Sequence, residues 1–531
     1  MAEPGDKSGL AAEGAKVVYD RLSNDRAPYV TRAENNAAYT IPAVFPKESD
    51  NGSTNYTTPY QSVGARGLNN LASKMLLSLF PVGEPFFKLA INEFALKQVG
   101  DTEIVQQANI GLTLVERVAM RYVEGAAIRP TAFEGMKQLL VAGNFLWYMP
   151  PGEQTMRLYR LTSYVVERDS NGGLIQGVTK ESIAAVNLPE ELRELAEGGD
   201  ENPNKQVDVY THFYRDPDSD GWLSYQEING EVVESTKNTF PADGLPWIPV
   251  RLFKIDGESY GRSFVEEYIG DLVSLENLSK SIVEFAQAAS KVLFLVEPSG
   301  QTQARRLTKA ANGSFVAGRK EDISVFQMEK YNDFQVAKAT ADGIEQRLSY
   351  AFLLNSAVQR NAERVTAEEI RFVANELEAT LGGVYSVLSS EFQLPVAKRL
   401  LIDLQLTNKI PDLPKEAVEP SIITGLDAIG RGQDLDKLMT FVSAATPALQ
   451  FTQGEVNWSN FILRVAEAAG IDPQGLLLTP QERQAMQQQA IQQQALQSAA
   501  QAGGAAAGQN MGAAGTQDEA AMAAAVQGAE V

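Results

Sequence analysis

Residues 355–406 read NSAVQRNAERVTAEEIRFVANELEATLGGVYSVLSSEFQLPVAKRLLIDLQL. The stretch opens as a polar loop carrying Asn355, Ser356, Gln359, Arg360, Asn361 and Arg364, then runs into Thr366-Ala367-Glu368-Glu369. That pattern starts a helix: the Thr366 hydroxyl caps the first amides while Glu369 reaches back to the cap amide. Ile370, Val373, Leu377, Val384, Leu388 and Phe392 then recur on one face, and the pattern continues past Pro395 to Leu404. At about 1.5 Å per residue, roughly 40 residues make a rod of about 60 Å. A compact monomer has little use for several rods of that length, whereas a subunit of a large ring or channel does.

Two further long helices precede this one. From near Arg262, the residues Val265, Tyr268, Ile269, Leu272, Leu275, Leu278, Ile282, Phe285 and Ala289 keep one apolar stripe. The stripe extends over about 30 residues, or about 45 Å. From near Phe334, Ala337, Ala341, Ile344, Leu348 and Ala351 do the same. Between the two helices, strand-like Val292–Val296 and Ser314–Ala317 bracket a basic patch. The order is therefore long helix, small β insertion, long helix, loop, longest helix.

Upstream, the first ~140 residues read as helices. Leu68, Leu71, Ala72, Met75, Leu76 and Leu79 follow helical spacing up to Pro81, and Ile104, Ala108, Leu112, Val115, Val118 and Tyr122 repeat it. From Phe145 the period changes to that of strands, at 145–149, at 164–167 and, after the turn 169–173, at 174–178. A short acidic helix (188–196) and a linker (198–205) lead into a meander. Its strands are 207–214, 222–228 and 231–235, the last two joined by Asn229-Gly230, and 247–254 follows. Beyond Lys415 come shorter helices with joints at Gly425, Gly430 and Gly432. From about Gln481 the composition is Gln, Ala and Gly, with Ala485-Met486, Ala490-Ile491 and Ala495-Leu496 recurring every five residues. That spacing spirals around a helix and builds no stripe, so alone the segment frays or is disordered. Beside identical copies it could stand as a barrel of helices. The fold class is α+β, mainly helical.

Composition bounds the rest. At 531 residues the chain exceeds the size at which one core keeps growing, so several domains are expected. Cysteine is absent, which removes disulfide frameworks, thiolate zinc sites and cysteine nucleophiles, and fits a reducing place of synthesis. His212 is the only histidine, leaving at most one imidazole for acid–base work. The first residues lack the basic segment and apolar core of a secretory signal, and no run of 18 apolar residues predicts a membrane span. With a formal net charge of -21, the chain does not grip duplex DNA by overall attraction. An acidic protein that handles DNA has to keep it from sticking.

Three short features invite chemical readings. Gly257-Glu258-Ser259-Tyr260-Gly261 fits G-x-S-x-G between a strand and a helix, where a hydrolase nucleophile sits. The hydrolase order needs an acid and then a histidine after that serine, whereas His212 precedes it; a tight turn using two glycines accounts for the match. Asp216-Pro217-Asp218-Ser219-Asp220-Gly221, with Glu227 at the twelfth position, fits the EF-hand calcium formula. Its flanks alternate as strands do, so a polar hairpin turn is expected, with a non-EF calcium site through Asp216, Asp218, Asp220 and Glu227 as the weaker alternative. The third feature is the patch Arg305, Arg306, Lys309, Arg319 and Lys320: five positive charges within 16 residues, adjoined by Glu321 and Asp322. It is either a solvated face or a surface that meets phosphate or an acidic protein. The chain contains no Gly-Lys pair, so no Walker A loop, and neither G-x-G-x-x-G nor H-E-x-x-H occurs.

Longer strings carry a more specific signal. They are Asp25-Arg-Ala-Pro-Tyr29, Thr40-Ile-Pro42, Phe45-Pro46, Gly64-Ala-Arg-Gly-Leu-Asn-Asn-Leu-Ala-Ser-Lys74 and Asp256-Gly-Glu-Ser-Tyr-Gly-Arg262. Then follow Leu354-Asn-Ser-Ala-Val-Gln-Arg360, Glu363-Arg-Val-Thr-Ala-Glu-Glu-Ile-Arg371, Gly382-Gly-Val-Tyr385 and Gly425-Leu-Asp-Ala-Ile-Gly-Arg-Gly-Gln-Asp-Leu-Asp-Lys437. In these strings, in order and to about residue 480, the chain resembles the portal, or head-to-tail connector, proteins of short-tailed double-stranded-DNA phages of the autographivirus type. The likeness is weakest in the Gln/Ala/Gly tail.

The resemblance implies a portal fold and a twelvefold ring at one capsid vertex, with double-stranded DNA passing through its centre without sequence specificity. It implies a structural protein with no enzymatic activity, no cofactor, no resident metal and no membrane contact. Residues 1–260 resemble a wing, 261–292 and 334–354 two stem helices, and 293–333 a clip. Residues 355–365 correspond to a channel loop, 366–412 to a long wing and channel helix, 413–480 to a crown, and 481–531 to a barrel helix and tail. On this reading Ser356, Gln359, Arg360, Asn361 and Arg364 face the DNA, and the basic patch meets a partner or DNA. The implied partners are further copies of the chain, the major capsid protein, a scaffolding protein, the terminase motor, the tail adaptor and internal core proteins. The implied place is the portal vertex of the virion, for a late protein made in the cytoplasm of a bacterial host. An internal virion or adaptor protein without a pore is the alternative, and a hydrolase using Ser259 a more distant one.

Overall fold

The computed structural model describes residues 13–81, 85–91, 102–153, 155–197, 205–289, 293–300, 302–326, 331–354, 383–413 and 418–422. The chain divides into two units, Met1–Ile429 and Gly430–Val531, and every described residue lies in the first. In chain order the elements are α1 (Ala15–Ala38), α2 (Val63–Leu79), β1 (Phe87–Ile91), α3 (Thr102–Gly125), α4 (Ile128–Ala142), β2 (Asn144–Tyr148), β3 (Arg157–Tyr159), β4 (Tyr164–Arg168) and β5 (Leu174–Ala184). Then come α5 (Glu190–Glu197), β6 (Gln206–Arg215), β7 (Trp222–Ile228), β8 (Glu231–Phe240), β9 (Trp247–Arg251), α6 (Phe264–Ala289), β10 (Leu293–Val296), β11 (Ile323–Phe326) and α7 (Tyr331–Ala351). The last are α8 (Val384–Leu388), a π-helical turn (Ser389–Gln393), α9 (Leu394–Leu406) and β12 (Val418–Ile422).

The expected meander is a five-stranded antiparallel sheet in the order β4-β5-β6-β7-β8. On β6 the period of two is visible side chain by side chain. Val207, Val209 and Phe213 alternate with Tyr210, His212 and Tyr214, and all six are buried because both faces of the sheet are covered. Val18, Tyr19 and Leu22 of α1 pack with Tyr210 and Tyr214, while Leu192 of α5 packs with Val207 and Val209. Asn229 (φ 53°) and Gly230 (φ 87°) join β7 to β8 in the left-handed turn that the Asn-Gly pair favours. β8 extends to Phe240, past the expected end at Ser235, along an edge whose side chains are mostly exposed and polar.

A second, three-stranded sheet (β3-β2-β9) sits in the main core. Phe145, Leu146 and Trp147 are buried on both of its faces, as a continuous apolar run predicts. Helices α2 and α4 pack on each other, and α4 also meets α1 and α6. Phe392, on the π turn, is wholly buried among Phe80, Phe145 and Trp147, with ring centroids 5.5, 5.2 and 5.2 Å away. Its neighbour Gln393 donates to the Leu79 carbonyl at 2.7 Å. Pro395 lacks an amide hydrogen and lies in the first turn of α9, where a missing donor is tolerated.

Three expectations are corrected. The single rod expected from Thr366 to Leu404 is interrupted: Gly383 has φ +79° and ψ -1°, a conformation that helical residues do not adopt, so the apolar period crosses a break at Gly383. Ser314–Ala317 is not a strand; β10 pairs instead with Ile323–Phe326, in the register Leu293↔Phe326 to Val296↔Ile323. The N-terminal part is not purely helical, because β1 pairs with β12 from Phe87↔Ile422 to Ile91↔Val418. A five-residue strand whose partner lies far along the chain leaves no local period to read. The linker at 198–204, the channel loop and most of the region after 413 lie outside the described residues.

Candidate functional site

The feature with no counterpart in a compact single-core protein is the hairpin of α6 and α7. All the buried residues of α6, Phe264, Val265, Leu272 and Leu275, lie in its first half, and those of α7 among the described residues, Ala341, Ile344 and Leu348, lie toward its end. The near ends are also tied by Arg347 to Asp271 at 2.9 Å. At the far ends Phe285 stacks on Phe334, with centroids 5.4 Å apart, and most other side chains face solvent. The β10–β11 ladder and its loop occupy that far end.

The loop carries the whole basic patch. Arg305 and Arg306 lie on a single helical turn, Ala304–Leu307, with Lys309 after it and Arg319 and Lys320 before β11. All five are exposed, and among the described residues none joins an ion pair. Asp322, which adjoins them in sequence, accepts hydrogen bonds from Thr302, through its amide at 3.0 Å and its hydroxyl at 2.8 Å.

At the other end of α7 the chain is set up for its next segment. Phe352 is buried against Phe264, and Asn70 of α2 donates to the carbonyls of Phe352 (3.0 Å) and Leu353 (2.9 Å). The Lys74 ammonium donates to the Leu353 carbonyl at 3.1 Å. Leu353 itself has φ +54°, an uncommon conformation for a branched side chain, kept in place by those donors. Sequence reasoning did not assign Asn70 or Lys74, although both lie in the quoted string 64–74. Ser356, Gln359, Arg360, Asn361 and Arg364 lie outside the described residues.

The two enzyme-like and metal-like matches resolve into structural roles. In residues 256–262, Glu258 accepts from Tyr29 and Arg262 at 2.6 Å each, Tyr260 is buried and its hydroxyl accepts the Val166 amide at 3.0 Å, and the Gly261 amide donates to Asn144 at 2.7 Å. The Arg262 guanidinium holds the Glu258 carboxyl below its usual range, and burial pushes the Tyr29 hydroxyl up to about 12. His212 is not bonded to Ser259; its ring nitrogens are taken by Gln176 (2.9 Å) and Tyr225 (3.1 Å) within the sheet. Residues 216–221 form the turn between β6 and β7, where Asp216 accepts from the Asp218 amide and the Ser219 hydroxyl. Glu227 is buried on β7, and its carboxylate accepts from the Ala15 amide at the start of α1 (2.5 Å). That spends the twelfth calcium position on a helix N-terminus, where a negative charge is favoured. Among the described residues no carboxylate or histidine cluster is arranged to hold a metal, and no helix is long and apolar enough to cross a membrane.

Burial of His212 also gives a pH prediction. Desolvation lowers its pKa from 6.5 to about 3, so the neutral ring contributes stability above pH 6.5 that is lost as pH falls toward 3. Asp403 runs the other way: burial, only partly opposed by Arg399, raises its carboxyl from 3.8 to about 6, so its contribution is lost as pH rises through 6. The two slopes oppose each other in the parent. His212→Gln should therefore lose about 2 kcal/mol less than the parent between pH 7 and about pH 5. Urea titrations at the two pH values check this; parallel losses would show that His212 is not buried neutral.

The chain matches a family described as bacteriophage head to tail connecting protein over residues 12–477. The chain belongs to this family. Among its relatives, the portal protein of Enterobacteria phage T3 is 56% identical over 488 residues, covering 90% of this chain and 91% of the relative. That of Escherichia phage T7 is 55% identical over 492 residues, covering 91% of each. That of Enterobacteria phage SP6 is 31% identical over 430 residues, covering 80% and 81%. As a portal protein of the T7-like phages, the chain is a head-to-tail connector, a structural component of the virion at the capsid vertex. The match ends at 477, close to where the sequence likeness was expected to fade.

Proposed function

We propose that twelve copies of this portal protein form a ring at one capsid vertex, whose centre is the conduit for genome packaging and ejection. The α6–α7 hairpin carries this reading: its far half finds little cover among the described residues, and identical hairpins standing beside it would supply that cover. Residues 261–292 and 334–354 then serve as the stem, 293–333 as the clip, and 1–260 with the returning helices as the wing. The terminase motor, and later the tail adaptor, dock on the clip; capsid, scaffolding and internal core proteins meet the rest. The chain would be made in the host cytoplasm and catalyse no step.

Charge supports the conduit. Repeating a subunit of net charge -21 around a closed path gives a strongly negative field, so phosphate slides without sticking. A few inward cations, with Arg360 and Arg364 of the 355–365 loop as candidates, would steady the backbone locally. Negative-stain images of the purified protein test the ring: a particle with a central hole is expected, and solitary unperforated particles overturn the proposal. Deleting residues 356–363 should leave ring assembly intact and impair DNA packaging or retention, measured as DNA-filled heads per infected cell. Normal filling would remove the loop from the channel's function.

A further inference from the structure

We infer that Phe315 is the anchor of the docking surface, seating in an apolar pocket with an acidic rim on a protein partner. This rests on the reading of residues 293–333 as the docking end, and adds the chemistry of what fits it. Phe315 is completely exposed, at 105% of the reference area, which no other large apolar side chain among the described residues approaches. It is carried by a loop of defined shape. The Ser314 amide donates to the Ala311 carbonyl at 3.1 Å across a turn in which Gly313 has φ +82°, and Phe315 follows directly. The base of the loop is pinned by Thr302, which is buried, donates to Asp322 and accepts the Arg319 amide at 2.8 Å.

Burying a phenylalanine is stabilising, so a pinned loop that holds one in water forgoes that stabilisation in the isolated chain. Aromatic anchors beside arginines are the composition of binding hot spots, in which one side chain fills a pocket and charges surround it. Duplex DNA would satisfy Arg305, Arg306, Lys309, Arg319 and Lys320, but it accepts a phenyl ring only at the cost of unstacking base pairs. In the ring proposed above a neighbouring copy presents the same cationic tip, so it offers these five residues no carboxylate rim. A protein with carboxylates around an apolar pocket satisfies both the cations and the ring.

The test compares full-length parent, Phe315→Ala and the triple variant Arg305→Glu, Arg306→Glu, Lys309→Glu. Binding is measured to the purified large terminase subunit, to the purified tail adaptor and to a short DNA duplex, with ring assembly followed by light scattering. Phe315→Ala should weaken binding of at least one of the two proteins about 30-fold, mainly through faster dissociation, and leave DNA binding and the ring unchanged. The triple variant should slow association and flatten its salt dependence. Loss of the ring in Phe315→Ala would make a second copy the occupant, and weakened DNA binding would make it nucleic acid; either overturns the inference. If the charge reversal weakens docking while Phe315→Ala binds both proteins normally, the docking reading stands and the anchor falls. If neither variant changes protein binding, both fall.

Discussion

Replacing Glu391 by alanine is expected to cost about 3–5 kcal/mol of folding stability, because it strands two buried guanidinium groups. The Arg251 side chain is 1% exposed and that of Arg168 is 7% exposed. Glu391 accepts from Arg251 Nε at 3.0 Å and also from Arg251 Nη2, and Arg168 Nη2 lies 3.8 Å away. Burial, with the nearby Arg251 cation, already lowers Arg168 to about 10. Without the carboxylate, two cations would face each other with only carbonyls of Gly172, Pro249 and Glu258 to receive their hydrogens. Glu391→Gln, which keeps shape and one acceptor oxygen, should fall between variant and parent. Urea midpoints, compared in the same assembly state, measure the loss. A change below about 1 kcal/mol would mean that water reaches these arginines, contrary to their burial.

Phe392→Ala is expected to cost a similar amount, about 3–5 kcal/mol, through a cavity in the main core. The ring meets Phe80 at the end of α2, and Phe145 and Trp147 on β2, so one side chain ties three segments distant in sequence. Phe392→Leu fills most of the space and should lose much less. The same urea titration decides it. Equal losses in the two variants would indicate that aromatic geometry rather than volume holds the π turn, and a small loss in both would mean that the core closes over the gap. The two substitutions sit on adjacent residues of one turn, so their effects should not add when combined.

Much of this was legible along the chain because it depends on local periods. The stripes of α6 and α7 placed the starts of those helices near Arg262 and near Phe334, within a few residues of Phe264 and Tyr331. The alternation of β6 and β7 and the Asn229-Gly230 pair placed the meander. The basic patch was visible as composition. Phe315 was hidden within a four-residue run that reads as a strand, and only its place after a pinned turn shows it standing in solvent. Asn70 and Lys74 lie off the apolar stripe of α2, and only the fold shows that they donate to the carbonyls of Phe352 and Leu353.

The sequence by itself determined the long helices α6 and α7, the strands of the meander, the absence of cysteine, the presence of a single histidine, and the strings in which the chain resembles its family. Each is a property of residue type and near-neighbour spacing, which survive without knowledge of what lies across the fold. Tertiary structure alone decided the β1–β12 pairing, the break at Gly383, the sharing of Glu391 between two arginines, and the use of Glu227 to hold the start of α1. In those cases the energy comes from groups that meet only after the chain has folded back on itself. No spacing along the sequence encodes such a meeting, because a carboxylate's partner is chosen by desolvation and distance in space.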